Sequence, residues 1–272
     1  SWRRYSYDNF TGIRIMGVFQ NNLLAGAAAA ATAGGGAFYD YQIEQSVRFD
    51  SADSCYMNKT FGSEGNRRTG TFSVWVKRIT FGTQHLIMNA HINNGDQDQL
   101  LGFTSNDFPH VWMDGGTYGY QVADGVYRDA SGWGHFVVAW DSTQSTNTDR
   151  IKFYLNGNRL TTANDSPTWP SLNREFFMFD NVEHAIGRRT AYSGQHYFDG
   201  YLAELIAVDG TAYAPTQFGE TKNGVWIPKD PTGTSFGTNG FHLKFENASD
   251  LGNDSSGNNN DFTANNFDPD HQ

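Results

Sequence analysis

The sequence contains a single cysteine, Cys55, among its 272 residues. An intrachain disulfide is therefore excluded, and with it the class of small secreted domains that disulfides hold together. The eight histidines form no HxH or HxxxH pair, so the common zinc-ligand spacings are missing as well. We interpret Cys55, which stands between Ser54 and Tyr56 in a strand-like stretch, as a small core residue.

Long apolar runs and positive charge are also scarce. No run of about 18 apolar residues occurs, which argues against a membrane-spanning segment. Lysine and arginine total 19 against 29 aspartates and glutamates, which gives a formal net charge of −10. Because contacts with phosphate groups depend on Lys and Arg, this balance argues against nucleic-acid binding.

Aromatic residues and glycine are abundant instead: Phe, Tyr and Trp make up 15% of the chain, and Gly occurs 30 times. From residue 41 onward, short alternating segments are separated by Gly, Asn and Asp clusters, which is typical of strands joined by turns. The predicted strands are 45–50, 54–61, 71–78, 85–92, 100–105, 110–114, 134–141, 150–157, 184–189, 197–209, 224–228 and 240–247. Such a series predicts an all-β sandwich or barrel. Asn156-Gly157 predicts a hairpin with a type I′ turn.

Four segments, in order, resemble one family. They are TFSVWVKR (71–78), GWGHFVVAWD (132–141), IKFYLNGNRL (151–160), and AIGRR (185–189) followed by YFDGYLAELIAVD (197–209). Together they resemble the laminin-G-like, pentraxin-like branch of the concanavalin A jelly roll, over residues 44–247. The resemblance implies an all-β, two-sheet antiparallel jelly-roll sandwich. Alternation in these strands predicts inward side chains at Phe72, Val74, Val76, Phe136, Val138, Phe153, Leu155, Leu202 and Leu205.

The sequences that flank this domain also resemble those of laminin-G-like proteins of marine bacteriophages. Those proteins have a leader like MGVFQNNLLAGAA (16–28) and a tail like residues 224–266. The resemblance implies a non-enzymatic structural or attachment protein on a virion surface or in the extracellular space. Its expected partners are further copies of the chain, with a trimer among the options, other virion proteins and a host surface glycan.

Three regions are predicted along the chain. Residues 1–40 form an extended N-terminal arm, because they lack strand alternation and carry an Ala-rich run that ends at Gly34-Gly35-Gly36. Residues 41–247 form the sandwich, and residues 248–272 form an Asn/Asp/Gly-rich tail that either closes this sandwich or begins a further module. Arm residues expected to need a partner surface are Trp2, Tyr5, Tyr7, Phe10 and Phe19.

Glycosidases need two carboxylates about 5–9 Å apart, which on one strand face requires acidic residues at i and i+2 or i+4. No predicted strand has that pattern. Asp199 and Glu204, five residues apart, are expected on opposite faces. We therefore predict no enzymatic activity. A secreted or cell-surface lectin-like module is the first alternative to the virion protein, and a polysaccharide-degrading glycoside hydrolase the second.

Two candidate sites follow from residue chemistry. Aromatic faces stack on sugar rings and nearby carboxylates bond hydroxyls, so the Gly-rich stretch 110–127 predicts a glycan site. Its candidate residues are Trp112, Asp114, Tyr118, Tyr120 and Tyr127. No cofactor is required, but a structural calcium ion is an option because Asp and Asn supply the hard oxygen ligands that it prefers. The candidate loops are 93–98, with Asp96 and Asp98 as ligands, and 250–261. In each case the alternative is structural: core packing or subunit contact for the aromatics, and turn formation for the Asp- and Asn-rich loops.

Overall fold

The computed structural model describes residues 38–92, 97–113, 119–162, 168–189 and 196–272. Several predicted residues lie outside these ranges, so their predicted roles stay predictions. They are Trp2, Tyr5, Tyr7, Phe10 and Phe19 of the proposed arm, Asp96 of the proposed calcium site, and Asp114 and Tyr118 of the proposed glycan site. Within the described ranges, no helix has the length and apolar character needed to cross a membrane.

Two seven-stranded antiparallel sheets form a sandwich, as predicted. Sheet A has the order β1 (Val47–Phe49), β12 (Gly200–Asp209), β3 (Thr69–Arg78), β8 (Gly134–Asp141), β9 (Ile151–Leu155) and β10 (Asn158–Arg159), with β15 (Phe241–Leu243) also paired to β12. Sheet B has the order β16 (Thr263–Asn265), β2 (Tyr56–Thr60), β11 (Glu183–Ile186), β4 (His85–His91), β5 (Gln97–Phe103), β6 (Pro109–Trp112) and β7 (Tyr120–Val122). A separate hairpin joins β13 (Gly219–Lys222) to β14 (Val225–Pro228).

The core between the sheets confirms the predicted inward side chains. Eight of the nine are buried in the main hydrophobic cluster, and Leu155 is half-buried against it. The eight buried residues are Phe72, Val74, Val76, Phe136, Val138, Phe153, Leu202 and Leu205. Cys55, also predicted as a core residue, is fully buried in the same cluster.

The outer face of sheet A is covered as well. Ser73 and Trp75, which alternate with the core residues of β3, are only 1% and 7% exposed. The segment after β12 and the β13–β14 hairpin lie over this face, where Phe218 packs with Ile206 and Val208 in a second apolar cluster. The central strands β3 and β12 of sheet A are therefore buried on both faces.

The hairpin between β9 and β10 has the predicted turn. Asn156 and Gly157 both have positive φ, +48° and +78°, as a type I′ turn requires. The ring of Trp226 packs against this turn, so a Cβ atom on Gly157 would lie 2.5 Å from it. Glycine is needed here both for its backbone conformation and for this close approach.

The C-terminal segment contributes a strand to each sheet. β15 pairs with β12 in sheet A, and β16 pairs with β2 in sheet B. Between them, the Asp254 carboxylate accepts hydrogen bonds from the backbone N–H groups of His242, Ser256 and Asn260. Residues 248–272 are thus tied into the sandwich, and the acidic loop 250–261 uses Asp254 to order its own turns.

Candidate functional site

Sheet B carries a row of directly opposed residues across six neighbouring strands. In strand order they are Asn58, Ala185, Asn89, Gln99, Trp112 and Tyr120. Directly opposed residues of antiparallel strands share one face of the sheet. The neighbours Met57, Met88 and Ile186 lie in the hydrophobic core, so the side chains of Asn58, Ala185, Asn89, Trp112 and Tyr120 belong to the outer face. We call these five side chains the amide–aromatic row.

The two ends of the row are accessible, whereas its middle is covered. Ala185 and Asn89 are fully buried, and Asn89 donates a hydrogen bond from Nδ2 to the backbone oxygen of Asp98. Asn58 at one end, and Trp112 and Tyr120 at the other, are half-buried. A ligand therefore meets two separate groups of side chains, an arginine end and an aromatic end.

The arginine end is built around Arg188, which follows β11. Its guanidinium lies 3.6 Å from the centroid of the Tyr56 ring. One of its nitrogens donates to Oε1 of Glu183 at 3.0 Å, and Nδ2 of Asn58 donates to the same oxygen at 3.4 Å. Cation–π stacking and one ion pair thus hold a planar cation beside an amide on the outer face.

His91 completes this end, because it stands opposite Glu183 in the β4–β11 pairing. Burial lowers the pKa of His91 below its ordinary value and Arg188 lowers it further, although Glu183 acts in the opposite direction. The ring is therefore neutral at pH 7. Its Nδ1 is buried and makes no hydrogen bond.

The aromatic end brings together two of the predicted ligand residues. The rings of Trp112 and Tyr120 meet edge to face, with centroids 5.5 Å apart. The Tyr120 backbone is held by Thr168, whose Oγ1 accepts its N–H at 2.9 Å. Burial raises the pKa of Tyr120, so its hydroxyl stays protonated. Nε1 of Trp112 is buried and has no acceptor.

Tyr127, in contrast, is separated from this pair. Its ring stacks on Phe103 and meets Phe136 edge to face inside the sandwich. Its hydroxyl donates within the protein, with backbone oxygens of Val76 and Gly132 each 3.3 Å away. Burial raises the pKa of its phenol above the ordinary value. Tyr127 is half-buried and packs against the core, so it does not join the Trp112–Tyr120 pair, and its role in ligand binding stays a prediction.

Asp98, predicted as a calcium ligand, is a buried residue of β5 whose carboxylate binds the backbone of a neighbouring segment. Its Oδ2 accepts the N–H groups of Phe177 at 2.5 Å and Met178 at 3.0 Å. Two amide donors on one oxygen favour an anchoring role over metal coordination, and Asp96 lies outside the described residues. The calcium site at this loop stays a prediction.

A different group of side chains has metal-capable atoms close together. Ligand atoms of Asp50, Asp53 and His271 lie within 4.8 Å of one another. However, Asp50 forms an ion pair with Arg48 at 2.7 Å, and Nδ1 of His271 accepts the N–H of Asp268 at 2.7 Å. Asp50 and His271 therefore both have protein partners that give them a structural role.

A serine–histidine pair lies under the β13–β14 hairpin. Oγ of Ser73 is 2.7 Å from Nε2 of His135, and Nδ1 of His135 accepts the indole N–H of Trp226 at 3.0 Å. Because the indole nitrogen only donates, Nδ1 carries no proton and Nε2–H donates to Ser73. A base must accept the serine proton at that nitrogen, so this pair lacks the arrangement of a nucleophilic dyad.

A cleft of about 210 Å³ lies at the edge of sheet A. Its lining includes Ala139, Tyr154 and Tyr213, together with Lys152 and Asp149, which form an ion pair at 3.4 Å. It is the second place where tyrosines and charged groups converge, on the opposite side of the sandwich from the amide–aromatic row.

Sequence patterns did not predict Arg188, Tyr56 or Glu183 as site residues. The available signal was that Arg188 and Arg189 directly follow a predicted strand in a chain with few cations. The contact partner of Arg188 is 132 positions away, and only the pairing of β11 with β2 brings Tyr56 beside it.

Comparisons with known proteins agree with this architecture. The family model described as the concanavalin A-like lectin/glucanases superfamily matches residues 51–215. A search of curated proteins finds no match. A candidate carbohydrate-binding protein from Bacteroides ovatus is 16% identical with a TM-score of 0.50, covering 81% of this chain and 57% of that one.

Two further structures are more distant. A heptameric SAP-like pentraxin from Limulus polyphemus is 13% identical with a TM-score of 0.46, covering 65% of this chain and 81% of its own. Domains LG4-5 of the mouse laminin alpha1 chain are 11% identical with a TM-score of 0.42, covering 71% of this chain and 45% of that chain. Likeness at such identities concerns the fold alone.

Proposed function

The chain belongs to the concanavalin A-like lectin/glucanase superfamily, and from that premise we propose that it binds carbohydrate at the outer face of sheet B. The observation that carries the proposal is the amide–aromatic row with its two accessible ends. Fold alone does not assign a ligand, so the chemistry of this face has to supply the argument.

Each end offers what a sugar requires. Trp112 and Tyr120 present half-buried aromatic surface for the apolar face of a pyranose ring. Asn58 and Glu183 offer amide and carboxylate groups for hydroxyls, and Arg188 adds further donors. Neighbouring strands are about 4.8 Å apart, so the four strand spacings from β11 to β7 separate the ends by about 19 Å. That separation suits an extended oligosaccharide that contacts both ends.

The proposed role is binding without catalysis. Two buried carboxylates near β12 contact other side chains. Glu204 bonds to Tyr41 and His242. Oδ2 of Asp199 accepts a hydrogen bond from the Thr80 hydroxyl, while its Oδ1 is buried without a partner among the described residues. A glycosidase needs one proton-donating acid and one free carboxylate beside a bound sugar. Glu183 is the carboxylate at the arginine end, and one of its oxygens contacts both Arg188 and Asn58.

We further propose that the domain acts at a particle or cell surface. The support is the sequence resemblance of the leader and tail to laminin-G-like phage proteins, together with the acidic net charge of −10. Self-association would multiply weak glycan contacts through avidity. Imaging of the native assembly with a labelled antibody tests this role: labelled surface copies would support it, and a wholly soluble monomer would contradict it.

A glycan array followed by calorimetry tests the binding proposal directly. Trp112→Ala should weaken binding of the best array ligand at least about tenfold, since loss of one stacked aromatic typically costs 1–3 kcal/mol. Trp133→Ala, which removes a tryptophan beside Tyr201 at sheet A, is the matched control and should bind normally. Tyr154→Ala probes the cleft at the edge of sheet A. If only Tyr154→Ala loses binding, the cleft is the site and the row is not.

A further inference from the structure

Arg188 has fewer acceptors than the buried Arg78 or than Arg150. Arg78 donates to Tyr127, Thr80 and Asp107, and Arg150 donates to three backbone oxygens. Among the described residues, Arg188 donates to Glu183 alone and its buried Nε has no partner, a pattern that it shares with Arg48. A guanidinium has five N–H donors, so most of the capacity of this side chain is unused.

The same guanidinium is nevertheless held in place. Stacking on Tyr56 at 3.6 Å fixes its plane, and Gly187, with φ of +83°, sets the chain direction just before it. Its side chain is 17% exposed, so part of its edge reaches solvent. An unused, rigid, planar cation is suited to a ligand group that accepts several hydrogen bonds in one plane.

The charges around Arg188 also favour a ligand group that is negatively charged. Glu183 is the one carboxylate in contact with Arg188 among the described residues, and it uses a single oxygen for both Arg188 and Asn58. Arg189 follows directly in the chain, so two neighbouring arginines stand against one contacting carboxylate among the described residues, in a chain whose net charge is −10.

We propose that the glycan is acidic and that Arg188 binds its anionic group, a carboxylate or a sulfate, while Trp112 and Tyr120 contact a sugar ring further along. The inference rests on the proposed carbohydrate-binding function and specifies its ligand class. The anionic group approaches the exposed edge of the guanidinium and takes up donors that the protein leaves unpaired. Glu183 then holds the opposite edge in position.

The test is calorimetric titration of the full chain with three oligosaccharides of matched length. One is a polyuronate, one is a sulfated galactan and one is a neutral galactan. The wild-type chain should bind one of the acidic ligands about tenfold or more tightly than the neutral one, with an affinity that falls as NaCl concentration rises. Preference for the polyuronate or for the sulfated chain identifies which anionic group is bound.

Arg188→Gln should remove this preference and leave acidic and neutral ligands within about twofold of each other. Arg188→Lys keeps the charge but loses the planar fork, so it should retain only part of the preference. Arg159→Gln, an exposed arginine at the edge of sheet A, is the matched control and should behave as wild type.

Three outcomes decide the matter. Equal wild-type affinity for acidic and neutral chains overturns the acidic-ligand inference and leaves carbohydrate binding standing. An acidic preference that survives Arg188→Gln in a folded variant assigns the anion to other residues and overturns the role of Arg188. Absence of binding to any glycan, here and on the array, overturns the proposed function together with this inference.

Discussion

The indole N–H of Trp226 donates to Nδ1 of His135 across 3.0 Å, from the hairpin onto the buried outer face of sheet A. The His135 ring lies between two tryptophan rings, stacked on Trp75 at 4.8 Å and on Trp226 at 6.0 Å. This contact fixes the tautomer of His135 and attaches the β13–β14 hairpin to the sandwich. The hairpin also covers the part of the outer face of sheet A around Ser73 and Trp75.

Trp226→Phe should lower the free energy of unfolding by about 1–3 kcal/mol, because it leaves Nδ1 of His135 buried without a donor. Urea denaturation followed by circular dichroism measures this change. Trp133→Phe serves as the control, with an expected loss below about 1 kcal/mol. Equal losses in the two variants would show that the hydrogen bond to His135 contributes nothing specific.

Acid should destabilise the fold already at pH values above those at which carboxylates usually become protonated. Burial lowers the pKa of His135 to about 3, and the pKa values of His85, His110 and His184 to about 4. In the unfolded chain these groups titrate near 6.5, so between pH 6.5 and 4 the unfolded state binds more protons. Their contribution to stability is complete above pH 6.5 and is lost as the pH falls towards 4. Each protonated histidine contributes up to about 1.4 kcal/mol per pH unit.

Chemical denaturation at a series of pH values between 7.5 and 4.5 measures this dependence. His85→Leu should reduce the slope by about one proton, since His85 is buried and Nδ1 of its ring has no hydrogen-bond partner. A free energy of unfolding that is flat over this range would mean that these histidines are more accessible to water than the structure indicates.

The Arg78–Asp107 ion pair should contribute strongly to the free energy of unfolding, because both side chains are at most 1% exposed. Arg78 lies between the rings of Phe81 and Phe103, and Asp107 also accepts from Gly82 and Arg128. Asp107→Asn should cost about 3–5 kcal/mol of unfolding free energy, because a buried cation loses its counter-charge. Glu175→Gln removes the exposed partner of Arg68 and should cost less than about 1 kcal/mol. Similar costs for both variants would contradict this account of burial.

Alanine substitutions at two glycines can distinguish the cost of backbone strain from the cost of a steric clash. Gly82 and Gly157 have φ of +74° and +78°, but only Gly157 has a neighbour, the Trp226 ring, where a Cβ would lie. Gly82→Ala should cost about 1–2 kcal/mol for the left-handed conformation alone. Gly157→Ala should cost clearly more, since the Trp226 ring must also move away from His135. Thermal denaturation of both variants decides the point, and equal shifts in melting temperature would count against the packing of Trp226 on the turn.

Much of the sandwich could be predicted from period-two patterns. Phe72, Val74 and Val76 alternate along β3 as expected, and Asn156-Gly157 forms its turn, because both features depend on local sequence. β7 and β16 were not predicted. Each has only three residues, which is too short for a period-two pattern to stand out, and β16 reads Thr-Ala-Asn. Such strands form because a neighbouring strand supplies hydrogen-bond partners, and that information is non-local.

The site was less predictable for the same reason. Trp112 and Tyr120 lie together in the structure, whereas Tyr127, seven residues later, packs against the core on Phe103. Arg188 becomes a site residue only through Tyr56, which lies on another strand. Ser73 and Trp75 look solvent-facing from alternation, yet the β13–β14 hairpin buries them.

Titration of the ¹⁵N-labelled chain with the best array ligand, followed through tryptophan indole N–H resonances, tests carbohydrate binding at sheet B most directly. The account predicts that the Trp112 resonance shifts strongly and saturates with the calorimetric affinity. The Trp226 resonance should stay fixed, because its N–H is bonded to His135 on the opposite side of the sandwich. Saturable binding that leaves Trp112 unmoved, or that shifts Trp226 instead, would place the ligand elsewhere and contradict the account.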